Sequence, residues 1–472
     1  MTEFDETMQE ILGQAAGLTS ESPRSMAERL ARMYEVGGIT TLRRWRDDYY
    51  LWSAKSGCYA HMTDAELRGQ IYQRLPVSDA KMVSNVIDAL LATDILIDSK
   101  DLGDWLTDPK IEADPLDLAV APNGIVNLGT GQLCVATPAL FTTSCLGSKY
   151  DPAAGAEPKL WLEFLRQLWP SDEDAIRCLQ EWFGLQLTPD TTFQKILLLI
   201  GPKRSGKGTI SRVMQALLGR ASCCAPTLAS IGTNFGMQPL IGKTAAVIGD
   251  ARLGGRSDIA QIVERLLSLS GEDPITVDRK HKESWTGDLK VRVTLVSNEL
   301  PKFDDASGAL AGRFVILETK TSFYAREDRT LTKRLMAELP QILNWAIAGW
   351  TRLRARGYLT EPRSSRQLGE DLAELASPVN AWLKDRTSRS LLLRRDQWVS
   401  QDAAYRDYKI WAMAHGHREI TSTMFGRNLR AMVAGLERVQ VDRTWRWPGI
   451  ALRRASHDEL KSCASAPVTT TN

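Results

Sequence analysis

Five apolar residues, Ile196-Leu-Leu-Leu-Ile200, run into the loop Gly201-Pro-Lys-Arg-Ser-Gly-Lys207 and then into Gly208-Thr-Ile-Ser-Arg-Val-Met-Gln-Ala-Leu-Leu218. No other stretch limits the fold of this 472-residue chain so strongly. The apolar run reads as a buried strand, and Ile210, Val213, Leu217 and Leu218 recur at helical spacing. Strand, Gly-x4-Gly-Lys and helix in that order make a phosphate-binding loop. Gly201 and Gly206 let the backbone turn tightly and point N–H groups inward, with Ser205 in the same cradle. The helix N-terminus adds partial positive charge, and Lys207 is placed to reach the β- and γ-phosphates of a nucleotide. The hydroxyl that usually follows the lysine is displaced by one: position 208 is Gly208, and Thr209 becomes the expected Mg²⁺ contact.

A second apolar run, Leu240-Ile-Gly-Lys-Thr-Ala-Ala-Val-Ile-Gly-Asp250, ends in an acid. A carboxylate at such a strand end can hold Mg²⁺ and orient an attacking water. Ala251 and Arg252 follow it, so the usual second acid is missing and the general base stays open between Asp250 and a neighbouring acid. Strand Val291–Ser297 leads to Asn298, whose amide can bond a γ-phosphate or the lytic water. Arg313, just before strand Phe314–Glu318, can act on a neighbour's phosphate as an arginine finger. Between the acid and Asn298, the strand Ile275–Val277 leads to a basic tip, Arg279-Lys280-His281-Lys282, with Trp285 close by. Such a tip is either an ordinary solvated hairpin or a set of phosphate contacts along a single strand of DNA.

Elsewhere the pattern is coarser. Residues 1–20 read as a mobile arm. Thr41–Trp52 alternates like a strand pair, Thr63 or Asp64 caps a helix, and Ser78–Leu91 is a second helix. Trp45 with Arg43, Arg44 and Arg46 is either a core aromatic among solvated arginines or a nucleic-acid contact. Leu118–Val135 is a hairpin with turns at Asn123-Gly124 and Gly129-Thr-Gly131. Lys159–Leu187 is a helical collar with Trp161, Phe164, Leu165, Leu168, Leu179 and Trp182 on its apolar side. Glu327–Arg356 is helical, with Pro340 opening its second half.

The order Lys207, Asp250, Lys280-His281, Asn298, Arg313 falls within about 110 residues. It resembles the superfamily 3 helicases, a branch of the AAA+ ATPases, and within them the helicase part of phage and poxvirus-type primase–helicases. Asn123-Gly-Ile-Val-Asn-Leu128, Tyr150-Asp-Pro152 and Glu181-Trp-Phe-Gly-Leu185 resemble the region that precedes the core in that family. The resemblance implies an α/β AAA+ core in which Lys207 and Thr209 bind MgATP. It makes Asp250 the Walker B acid, Asn298 the sensor and Arg313 the finger, and has Lys280 and His281 track DNA inside a homo-hexamer. No primase pattern is visible, so a separate primase or polymerase is an expected partner. The Lys-Gly-Thr ending also resembles adenylate-kinase-like loops, which keeps a small-molecule kinase among the readings. A third reading is an ATP-gated initiator or scaffold that unwinds little.

The C-terminal stretch reads as helix, helix and hairpin: Gln401–Ala414, then Met424–Met432 behind Thr421 or Ser422, then Val439–Leu452. That order suggests a winged helix. Residues 391–456 hold 12 Lys/Arg against 6 Asp/Glu, so they carry +6 of a net +2 and leave the remainder negative. Charge concentrated on one small module is a footprint for DNA, with Arg427, Arg430, Arg443 and Arg446 as candidate contacts. The expected division is an α+β N-terminal region (1–110), a hairpin and collar (111–189), the ATPase core (190–360), a connector (361–390), the winged-helix module (391–456) and a disordered tail (457–472). No 18-residue apolar run and no apolar N-terminal segment are present, so neither a membrane helix nor a secretory signal is expected. Seven cysteines without a C-x-x-C pair suit a reduced protein in a bacterial host cytoplasm.

Overall fold

The computed structural model describes residues 21–453, apart from 78, 109–110, 252–257, 302, 304–308, 391–392, 418, 434 and the side chains of 373–376. The expected arm (1–20) and tail (457–472) therefore lie outside the described residues. The chain forms two compact units. One holds the described residues up to Pro152 together with His281–Trp285, and the other holds Ala153–Lys280 and Thr286 onward.

In the first unit, helix α1 (Pro23–Met33) opens with a proline behind the cap Ser22, as a missing N–H costs nothing there. Strands β1 (Leu42–Trp45), β2 (Asp48–Ser53) and β3 (Cys58–Met62) form an antiparallel meander. Helix α2 (Asp64–Arg74) starts on a reciprocal capping box between Thr63 and Glu66. Helix α3 (Ala80–Leu90) starts on Asp79. Leu30, Leu42, Leu67, Ile71, Val83, Val86 and Ile95 are buried together between these helices and the meander. The expected hairpin is present as β4 (Leu118–Ala121) and β5 (Gly124–Asn127), extended by β6 (Leu133–Cys134).

The second unit is built on a five-stranded sheet. The collar breaks at Trp169–Asp172, where Pro170 cannot donate to a helix, into α4 (Lys159–Leu168) and α5 (Glu173–Gln186). Then follow β7 (Ile196–Ile200), α6 (Lys207–Leu218), β8 (Cys223–Cys224), β9 (Ala245–Ile248) and α7 (Ile259–Gly271). The second apolar run thus starts its strand late, at Ala245, after a 3₁₀ turn over Gln238–Leu240. A small hairpin, β10 (Ile275–Val277) and β11 (Trp285–Gly287), precedes β12 (Arg292–Ser297) and β13 (Phe314–Glu318). The sheet order is β8-β9-β12-β7-β13, and every pair is parallel. All five residues of β7 are buried, as a central parallel strand requires.

Helices α8 (Leu331–Ala337) and α9 (Leu339–Arg356) follow. Glu338 between them accepts the N–H groups of Leu160 and Trp161 at 3.0 and 2.9 Å, and so satisfies the open start of α4. Helix α9 packs on α5 backbone to backbone. A Cβ on Gly184 would lie 2.5 Å from the Ala346 oxygen, and one on Gly349 would lie 2.4 Å from the Gln180 oxygen. The fully buried Glu181 accepts from Arg352 Nε and Arg356 Nη2, both at 2.8 Å, and from the Thr360 N–H and hydroxyl at 2.6 and 2.9 Å. A buried charge of this kind persists only when fully partnered.

Helix α10 (Arg363–Ala376) connects to a three-helix end module. It contains α11 (Pro378–Arg386), β14 (Thr387–Arg389), α12 (Gln401–Ala414) and α13 (Ser422–Met432, capped by Thr421). The hairpin β15 (Val439–Val441) with β16 (Thr444–Arg446) comes next, and β17 (Ile450–Leu452) returns to pair with β14. Trp382, Tyr408, Phe425, Leu429, Trp447 and Ile450 form its core. No helix among the described residues is long and apolar enough to cross a membrane.

Candidate nucleotide site and basic surfaces

In an open parallel sheet, ligands bind beyond the carboxyl ends of the strands. Here those ends bring together Gly201 after β7, Asn298 after β12, Gly249-Asp250 after β9 and Thr319 after β13. Gly201 sits at φ +145°, and a Cβ there would lie 2.1 Å from the Thr319 oxygen, so only glycine fits. Gly206 is left-handed, at φ +89°, and turns the loop into α6.

Lys207 is buried and folded back onto its own loop. Its Nζ donates to the oxygens of Gly201 at 2.6 Å and Pro202 at 2.8 Å, and to Ser205 Oγ at 3.2 Å. Asn298 Oδ1 stands 3.4 Å away. Burial among neutral oxygens holds the Lys207 ammonium below the ordinary lysine range. Thr319 Oγ1 donates to the Ile200 oxygen at 3.1 Å, so the 2.6 Å bond between the hydroxyls of Ser205 and Thr319 is donated by Ser205. Hydrogen bonds therefore run one way, from Lys207 through Ser205 and Thr319 to the end of β7.

The strand leading to Asn298 lies between β7 and the strand leading to Asp250, so the amide stands between lysine and acid. Asp250 is exposed and left-handed, at φ +53°, a conformation aspartate tolerates. Two strand spacings, about 10 Å, separate β9 from β7. Glu299, exposed beside Asn298, is a second acid at this edge that the sequence reading passed over.

Above the loop is a cleft of about 440 Å³, lined by Ser205 to Thr209, Phe164, Gln167 and Arg212, and on its far wall by Phe323, Arg326, Asp328 and Arg329. The size is that of an ordinary small-molecule site. The wall grips the loop through Ser322 Oγ to the Lys203 oxygen at 2.8 Å and the Phe323 N–H to the Arg204 oxygen at 2.9 Å. The sequence reading missed this wall because residues 319–330 lack apolar periodicity. Their only signal is the density of charge and hydroxyls directly after β13.

Arg313 is not brought to this cleft. It lies at the opposite end of β13, about 16 Å away at strand rise. Its Nη1 donates to Gln194 Oε1 at 2.5 Å and to the Ser270 oxygen at 3.0 Å.

The basic tip divides. Arg279 is buried, and the Lys280 N–H donates to Gln238 Oε1 at 3.2 Å while its side chain is exposed. His281 is exposed and left-handed, at φ +60°. Lys282 pairs with Asp48 at 2.5 Å, and the same Asp48 oxygen is 3.2 Å from His61 Nε2. Burial would raise the Asp48 carboxyl, but the bonds from His61 and Lys282 outweigh it and hold the group down at about 2. Trp45 is buried and Arg43 with it, which corrects the nucleic-acid alternative for that pair. Arg46 stacks between Trp45 and Trp285, 4.9 and 4.8 Å from the rings.

On the end module Arg427 and Arg430 are exposed on α13, and Arg443 is exposed at the tip of the β15–β16 turn. Arg446 departs from the expectation of a DNA contact. It is turned inward, donating to the Trp398 oxygen at 2.8 Å, and serves the packing of the module. The described residues contain no group of three or more His, Cys, Asp or Glu able to hold a metal ion.

The family described as "D5 N terminal like" matches residues 27–170. A family of unknown function, DUF5906, matches residues 199–313, which span the loop Gly201–Lys207 to Arg313. Among solved structures, the apo structure of the NrS-1 C terminal region (305-718) is similar at 11% identity. It covers 92% of this chain and 100% of that chain, with a TM-score of 0.50. The A form apo structure of the same region has 10% identity, coverage of 92% and 100%, and a TM-score of 0.48. At such identity the likeness is one of fold.

Proposed function

We propose that this protein is an ATP-dependent DNA helicase of a phage or mobile genetic element, working as a ring oligomer during replication. The observation that carries the reading is the Lys207–Asn298 juxtaposition at the carboxyl edge of the sheet, with the strand of Asp250 alongside. The D5-type match and the motif order support placing the chain among phage primase–helicase-type replication proteins. In this reading Gly201, Ser205, Gly206, Lys207, Gly208 and Thr209 bind the triphosphate. Lys207 exchanges its loop oxygens for phosphate oxygens, a gain because a charged acceptor is stronger than a neutral one. Asn298 orients the terminal phosphate or the water that attacks it, with Asp250 or Glu299 taking the proton. Thr209 and Asp250 would hold Mg²⁺, which needs only one or two protein oxygens beside those of the nucleotide and shields the phosphate charge. Arg313 serves a neighbouring subunit. Its distance from its own cleft is what such a role needs, and homo-hexamers are the expected assembly.

The three-helix module is read as a winged helix that meets duplex DNA through Arg427, Arg430 and Arg443. Lys280 and His281 are the free part of the basic tip. The burial of Arg279 and the Lys282–Asp48 pair favour, as a second reading, an initiator or scaffold that assembles on DNA and unwinds little.

The experiment is ATP hydrolysis with and without single-stranded DNA, for wild type and Lys207→Ala, with particle size followed alongside. DNA-stimulated turnover lost in Lys207→Ala, in a ring-sized particle, supports the helicase. ATP-dependent assembly on duplex DNA without turnover supports the scaffold.

A further inference from the structure

We propose that Arg212 is a phosphate-binding group of the cleft and that Gly208 provides the space it needs, an inference that rests on the cleft's being an ATP site. Arg212 stands on the exposed face of α6, one turn beyond Gly208, and lines the same cleft as Lys207. Its Nη2 donates to Thr209 Oγ1 at 3.1 Å. A Cβ on Gly208 would lie 3.2 Å from Nη1. The guanidinium therefore lies across the first turn of the helix, over the position where such loops usually carry a hydroxyl. The displaced hydroxyl and the arginine form one arrangement: the glycine opens the gap, the arginine fills it, and Thr209 holds the arginine until phosphate takes the guanidinium over and leaves the hydroxyl to Mg²⁺.

Chemistry favours an anion there. A guanidinium has five donors in a fixed fork suited to phosphate, and here one of them is used, by Thr209. Arg204, the loop's other exposed guanidinium, faces Glu327 at 3.4 Å, whereas Arg212 has no carboxylate partner among the described residues. Lys207 at the base of the loop serves the outer phosphates. The first turn of the helix beside Thr209 faces the inner ones, so Arg212 serves the α- and β-phosphates and acts on ATP and ADP alike.

Calorimetric titration of the full chain with ATP and with ADP, each with Mg²⁺, tests this. Arg212→Gln is expected to weaken both nucleotides about tenfold, the loss of one charge-assisted contact. Melting temperature should stay unchanged, because the side chain is exposed. Gly208→Ser pushes the guanidinium aside and is expected to cost a similar factor. The double variant should lose no more than either single one, because both act through one group. Unchanged affinity in Arg212→Gln overturns the proposal, as does a loss confined to ATP or losses that add in the double variant. In those cases Lys207→Ala still loses ATP, and the ATP-site reading stands. If wild type and Lys207→Ala both fail to bind ATP, that reading falls and the role of Arg212 falls with it.

Discussion

Two lysines are tethered in this protein by different chemistry. Lys207 is held by neutral oxygens of its own loop, whereas Lys282 is held by the carboxylate of Asp48. Neutral dipoles leave an ammonium partly uncompensated in a buried place, and its affinity for a proton falls accordingly. An arriving phosphate improves its situation. A carboxylate already compensates Lys282, so a DNA phosphate there must displace an existing ion pair. The two lysines thus differ in readiness: Lys207 would gain a stronger acceptor from an anion, whereas at Lys282 an anion would have to displace Asp48, although Lys280 and His281 beside it are exposed. Arg313 belongs with Lys207, because its partners Gln194 and Ser270 offer neutral oxygens only.

The largest effect should come from the lysine held by neutral oxygens. Lys207→Ala is expected to lower ATP turnover by more than about 10³-fold and to weaken nucleotide binding as well, measured by phosphate release and by titration. Retained turnover would mean that the tether is structural. Arg313→Ala should reduce turnover by about 10³-fold while nucleotide binding by the same chain stays intact. A parallel loss of binding would place Arg313 at its own cleft and break the comparison. A smaller change should come from the lysine held by a carboxylate. Asp48→Ala frees Lys282, and single-stranded DNA affinity should then fall more steeply with salt, by about 0.7 in log–log slope for one added phosphate contact. An unchanged slope would remove the tip from the DNA surface.

The smallest effect is local. Lys282→Ala should let the Asp48 carboxyl rise from about 2 toward the ordinary value near 3.9, followed by NMR titration. The sign follows from linkage. A depressed carboxyl contributes stability above its unfolded value and loses it as pH falls to about 2. The variant should therefore show a shallower acid-side loss of melting temperature between about pH 4 and pH 2 than wild type.

These differences explain what could be read in the sequence. The strand, loop and helix around Lys207 were legible because each is set by neighbours in the chain: five apolar residues, two glycines, and apolar spacing of three and four. Asn298 was legible because a strand end is a local feature, and the strand order then placed it beside Lys207. The fates of Arg279, Lys282 and Arg446 were not legible, because each is decided by partners far away in sequence. Asp48 lies 234 residues before Lys282, and the Trp398 oxygen lies 48 before Arg446. The far wall of the cleft was hidden for the converse reason. Its contacts to Lys203 and Arg204 are polar and irregular, and no periodicity marks them.

The Gly184–Gly349 crossing also has a mechanical meaning. Helix α5 leads into β7, and α9 follows the cleft's far wall; their backbones touch, and Glu181 ties α5 to Arg352 and Arg356 of α9. The two helices pack as one beam that joins the segment before β7 to the segment after the cleft's far wall. A swing of α9 away from α5 would have to break this backbone contact and the Glu181 bonds. The far wall of the cleft, with Phe323, Arg326, Asp328 and Arg329, lies outside that contact, so the beam is the cleft's frame.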